Sequence, residues 1–306
     1  MKAKVAPFLC LLVLSGCAGT NNTIVKASGP IAFPSLPAAG GTITMEPGTY
    51  ACPEGIASGV HIVGHGATVP PELLASTNFA PIATAAAVPV VRVTCTHSLT
   101  IKDANDVQIS GVIFDFQGSG AGLILDSVTY SRFDIGIVDA GTALTLTTHD
   151  GNTFSDMFPR LILYKHDVGI VLHGVNSKAV TWNDFGPVDL VDTRKVGILV
   201  SQYADTNTFS AVRMHLLGSA KDGLVFNDSG TLNDVDASGN VFQLLDCDAE
   251  GGFAGSCAHF KGYSVGNFVR MGFGIMPDQD KVVFDNPFSA SSNTVQKMQE
   301  HPKLPL

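Results

Sequence analysis

The chain has 306 residues, 45% of them hydrophobic and only 15% charged, so it can bury a large core and is not disordered as a whole. With 18 basic and 27 acidic side chains its net charge is −9, which argues against a nucleic-acid partner held by phosphate contacts. Its 32 glycines and 16 prolines demand many turns, and the runs between them are rich in Val, Ile, Thr and Phe, which selects an all-β class over long helices.

The chain begins with an address. Lys2 and Lys4 precede the apolar run Phe8 to Leu14, which is too short to span a bilayer as a permanent helix. The run ends in Leu14-Ser15-Gly16-Cys17, which resembles the lipobox of bacterial lipoproteins. That resemblance implies a signal peptide over residues 1–16 and a lipidated Cys17 whose acyl chains anchor the protein to a membrane. Small residues at Ser15 and Gly16 also suit an ordinary secretory cleavage site, and either reading exports the protein. By the same resemblance, Ala18 rather than an aspartate after the cysteine favours the outer membrane, facing the periplasm or the cell surface. Removing residues 1–16 leaves 16 basic against 27 acidic side chains, or −11.

Residues 17–40 are poor in charge and rich in Asn, Ser, Pro, Gly and Ala, the composition of a flexible tether. A folded domain is expected over residues 41–290. Gly41-Thr-Ile-Thr-Met-Glu-Pro-Gly48-Thr-Tyr50 reads as a strand, a Pro-Gly turn and a second strand, followed by Val60-His-Ile-Val-Gly64-His-Gly66. This opening is similar to that of the pectate-lyase-like superfamily. The similarity implies a right-handed parallel β-helix. Pro70 to Val88 breaks the strand rhythm and is expected to cap the first coil. Besides Cys17, four cysteines remain in the exported chain, expected as Cys52–Cys95 and Cys247–Cys257 because neighbours along a stacked solenoid are near in space; free buried thiols are the alternative.

An Asn followed two residues later by an apolar residue recurs at Asn152, Asn183, Asn207, Asn240, Asn267 and Asn293, at intervals of 31, 24, 33, 27 and 26 residues. Between these echoes a glycine leads an apolar run at Gly169, Gly197 and Gly223. Periods of this length mean stacked coils. Each coil would carry strands paired with the next coil, while Asn tolerates left-handed turn backbone and bonds main-chain groups. Residues 291–306 are expected to form a tail.

No short motif decides the chemistry. His65 in Gly64-His65-Gly66 resembles the Gly-His-Gly of polygalacturonase-type glycosidases but lies in the first coil, where it reads as a turn. Trp182-Asn-Asp184-Phe lacks the histidine that follows the aspartate in the Trp-Ile-Asp-His of pectate lyases, so Asp184 reads as a turn residue.

Candidates come instead from superposing the coils on their asparagines. Six residues after each Asn the column reads Phe158, Asp189, Arg213, Asp246 and Phe273, and eight residues after it reads Arg160, Val191, His215, Asp248 and Ile275. Asp246, Asp248, His215 and Arg213 are the expected catalytic group, with Asp189, Arg160, Glu250, Phe158 and Phe273 around a bound polysaccharide. Carboxylates so placed suit glycoside hydrolysis, whereas a histidine or arginine base with a cation such as Arg160 or Lys221 suits β-elimination from a uronate. A polysaccharide-binding lipoprotein without catalysis, or a structural or phage-related surface protein, are the alternatives. No cofactor is implied, and the Asp246–Glu250 run lacks the glycine-punctuated pattern of a calcium loop, so no metal is expected. The oligomeric state is not legible.

Overall fold

The computed structural model describes residues 23–25, 31–37, 40–74, 89–226, 237–250, 253–272 and 281–297. The lipobox with Cys17, residues 75–88 of the insert and Phe273 lie outside them.

The chain winds as a right-handed parallel β-helix. Strand β1 (Thr23–Val25) lies beside β2 (Gly41–Met45), which with β3 (Gly48–Ala51) makes the first winding. The second contains β4 (Val60–Gly64), a short helix α1 (Pro71–Leu74), β5 (Val91–Thr94) and β6 (Leu99–Lys102). These three strands pair in turn with successive segments of β7 (Gln108–Asp126), so one long strand bends through a whole coil. The windings continue as β8 (Arg132–Thr147) with β9 (Thr153–Phe154), β10 (Met157–His173) with β11 (Val180–Thr181), and β12 (Asp184–Val200) with β13 (Ala204–Asp205). Then come β14 (Thr208–Leu216) and β15 (Asp222–Phe226), β16 (Val241–Ala249) and β17 (Ser256–Phe260), and β18 (Phe268–Met271) and β19 (Val282–Phe284). Helix α2 (Pro287–Ser292) and β20 (Thr294–Lys297) close the described chain. The strand pairs between windings are parallel.

Parallel stacking puts like side chains on one another, and the core is built from such columns. Phe133, Phe158, Phe185, Phe209 and Phe242 are fully buried, and the rings of Phe158, Phe185 and Phe209 lie nearly coplanar-parallel at 4.4 and 4.2 Å. On the facing wall Gly169 and Gly197 are glycines because the space is taken. A Cβ on Gly197 would come within 2.5 Å of Met214 Sδ, and one on Gly169 would run into Leu190.

The repeated asparagines form an internal ladder. The side-chain Oδ1 of Asn183, Asn207, Asn240, Asn267 and Asn293 accepts from the backbone N–H one coil earlier, at residues 156, 183, 207, 240 and 267, over 2.9–3.2 Å. From Asn183 to Asn267 each Nδ2 donates to the Oδ1 of the next rung. Left-handed backbone is found just before residues 156, 183, 207, 240 and 267, at Ser155, Trp182, Thr206, Gly239 and Gly266, which corrects the expectation that Asn itself takes that conformation. Asn183, Asn207 and Asn240 are buried, so the amide is needed to satisfy main-chain groups that water cannot reach.

Asn152 is not a rung. In that coil the rung is Asp156, and Phe158 rather than Phe154 joins the phenylalanine column, so superposition on Asn152 is wrong by four residues.

The described residues at both ends pair with the coils. Within the expected tether, β1 pairs with β2, and Ile31 bridges Tyr50 while Phe33 and Leu36 pack on the core, because the first coil would otherwise leave a bare edge and an open core. Residues 291–297 of the expected tail supply the last rung, Asn293, and the strand paired with β18. In the described part of the insert, α1 lies against the outer wall. Leu73 packs with Ile113, Val138, Ile162, Tyr164 and Val191, and Arg92 pairs with Glu72 and with Asp115. Two disulfides, Cys52–Cys95 and Cys247–Cys257, have Cα separations of 4.8 and 6.0 Å.

Candidate functional site

Beyond the apolar patch under α1, the same outer wall turns polar. Ile162 pairs with Asp189, Asp189 with Arg213 and Arg213 with Asp246, so three charged side chains follow one another on β12, β14 and β16. His215 pairs with Asp248 two residues farther along. The intervening Met214 and Cys247 are buried, as strand alternation requires. These residues line one hollow of about 190 Å³, floored by the backbone and the stems of Leu190, Met214 and Cys247.

The contacts are charge-assisted. Arg213 Nε and Nη2 both reach Asp189 Oδ1, at 2.8 and 2.7 Å; Asp189 is largely covered while the guanidinium is mostly exposed. His215 Nδ1 lies 3.2 Å from Asp192 Oδ1, and Nε2 lies 3.9 Å from Glu250 Oε1. Asp192 therefore orients the ring, leaving Nε2 on the side of Glu250 and Asp248. The sequence reading missed Asp192. It sits at the corner where β12 turns, at φ +57°, and β14 is out of step with β12 between Leu190 and Thr193, so counting from the asparagine cannot bring it to His215. An aspartate at a left-handed corner is the available signal, and Asp139 has the same kind of backbone.

The expected residues therefore divide. Asp189, Arg213, His215, Asp246, Asp248 and Glu250 lie together. Phe158 does not flank the hollow; it is fully buried in the ring stack, and Ile162 takes the place expected for it. Arg160 is exposed but pairs with Asp134 at the start of the strand, and Tyr164 occupies the position expected for it. Both displacements follow from the four-residue misalignment of that coil. Lys221 lies past the corner, just ahead of β15. Phe273 lies outside the described residues.

Asp189, Asp246 and Asp248 line the hollow with Arg213 and His215, and Asp192 and Glu250 stand beside His215, so the surface carries a surplus of negative charge. Among the described residues no group of three His, Cys, Asp or Glu side chains has the geometry to hold a metal ion. Chemistry open to such a surface is proton transfer and carboxylate attack rather than capture of an anion.

No protein-family profile matches the sequence, and no curated protein does. The crystal structure of an alginate lyase from Paenibacillus sp. str. FPU-7 resembles this chain with a TM-score of 0.48 and 13% identity, over 80% of this chain and 91% of that one. At that level of likeness the chemistry has to be argued from the residues themselves.

Proposed function

We propose that the protein binds a polysaccharide across β12, β14 and β16 and cleaves it by hydrolysis. The observation that carries this reading is the register: Arg213–Asp246 and His215–Asp248 are neighbouring rungs of one wall and line one hollow. Asp248 is assigned the carboxyl that protonates the leaving oxygen, and Asp246, beside the guanidinium, the carboxylate that activates water or attacks the anomeric carbon. Asp246 and Asp248 are alternate residues of β16, whose backbones stand about 6.6 Å apart along a strand, close to the wider of the two carboxyl spacings that hydrolases use. His215, held by Asp192, and Arg213, held by Asp189, position the sugar.

Hydrolysis is preferred to elimination from a uronate. Elimination needs a cation turned toward the substrate carboxylate, whereas Arg213 spends two of its nitrogens on Asp189 amid further carboxylates. In this reading the lipobox sets the enzyme on the outer membrane, its lipidated Cys17 holding it near glycans of the envelope or the surroundings.

Incubation with a panel of plant and bacterial polysaccharides, read by mass spectrometry, tests the proposal. Saturated oligosaccharides should accumulate. Unsaturated products would transfer the site to elimination, and binding without any product would make the protein a glycan-binding lipoprotein.

A further inference from the structure

We propose that the corner carrying Tyr130 and Trp182 is a separate docking strip for an uncharged glycan chain. It goes beyond the hydrolytic site and stands whatever chemistry occurs at Arg213.

The corner is a column in its own right. The bridges Thr129–Phe154, Phe154–Thr181 and Thr181–Asp205 put the residues that follow them, Tyr130, Ser155, Trp182 and Thr206, in one line, each with left-handed backbone. Tyr130 and Trp182 are therefore two coils apart, about 10 Å, with a serine between them. Both rings face solvent, 64% and 65% exposed, although they are among the largest apolar groups in the chain. Their backbone angles of +52° and +54° are disfavoured for bulky side chains, and later coils place glycines in the same column, at Gly239 and Gly266. An outlier of this kind, repeated with the same residue class and kept out of the core, points to use rather than packing.

The surroundings name the ligand's chemistry. Phe154 meets Tyr130 edge to face at 5.0 Å and fixes its ring, and Phe154 also borders a hollow of about 390 Å³ lined by Asn105, Thr129, Asp150 and Asn152. Aromatic faces accept the C–H side of a pyranose, and the amides, hydroxyl and carboxylate accept or donate to its hydroxyls. Two coils match roughly two sugars of an extended 1,4-linked chain, so both rings can stack on one strand of it. Asp103 and Asp150 in the lining, on a chain of net charge −9, disfavour a polyuronate.

Trp182 is the sole tryptophan, so intrinsic fluorescence reads the strip directly. The exported chain is titrated with cellohexaose, mannohexaose, chitohexaose and a mannuronan hexamer. At least one uncharged hexamer should shift or quench the emission while the mannuronan does not. Calorimetry on Trp182→Gly, a substitution its backbone angle accepts, should show affinity lower by tenfold or more, whereas Asp248→Asn should bind as the parent does. An unchanged emission with all three uncharged hexamers, or equal affinity in Trp182→Gly, overturns the proposal. So does self-association that Trp182→Gly abolishes, which would make the strip a contact between copies. Loss of cleavage in Asp248→Asn with binding retained separates this result from the fate of the hydrolytic site.

Discussion

Asp156 donates its backbone N–H to Asn183 Oδ1 over 3.0 Å and stands as an acid in a ladder whose next five rungs are asparagines. Its Oδ1 accepts from the N–H of Ser131 at 2.9 Å, but its Oδ2 is buried without a hydrogen-bond partner. An asparagine there would donate from that position to Asn183, as each later rung donates to its neighbour. The aspartate can donate only when protonated.

Burial raises the Asp156 carboxyl to about 7, the Ser131 N–H opposing the rise. Its contribution to stability is full below the unfolded carboxyl value and is lost as pH climbs through about 7, because the unfolded chain releases the proton first. At 1.36 kcal/mol per unit the loss is roughly 4 kcal/mol. Asp156→Asn is expected to be more stable than the parent by an amount of this order near neutral pH, and about equal to it at roughly pH 3. Urea unfolding of both proteins across that range measures the difference, and equal stabilities at neutral pH would refute it.

Asp246→Asn and Asp248→Asn should each lower product release by about 10²–10⁴-fold, the usual worth of a positioned acid or base. Both residues are at least partly exposed, so melting temperatures should stay close to the parent's. If a variant retains full cleavage, the role assigned to that carboxylate is wrong.

The Cys52–Cys95 bond spans 43 residues and ties the first winding to the second, whereas Cys247–Cys257 spans 10. Replacing Cys52 and Cys95 with serine is expected to cost about 2–4 kcal/mol, and more than the same change at Cys247 and Cys257, since the longer loop is restrained more in the unfolded chain. Denaturant curves of the two double variants decide the order.

Phe209 lies between Phe185 and Phe242, with ring centroids 4.2 and 4.3 Å away. Phe209→Ala would remove both contacts and leave a cavity in a wall fixed on either side by strand pairing. About 3–5 kcal/mol of stability should be lost. Phe209→Leu should cost clearly less, and equal losses would mean that the column is not close-packed.

By itself the sequence determined the periodic solenoid, the asparagine rungs from Asn183 onward, the partners of the disulfides, and which charged residues of β12, β14 and β16 would meet. These follow from local repetition, since parallel strands stack like positions and a short count from a rung stays in step. It did not reveal that Asp156 replaces an asparagine, that Phe158 and Arg160 therefore leave the expected columns, or that Asp192 reaches His215 across a corner. Only the tertiary structure decided those points, because coil lengths vary and each register is set by the pairing and packing of whole windings, not by any residue's neighbours in the chain.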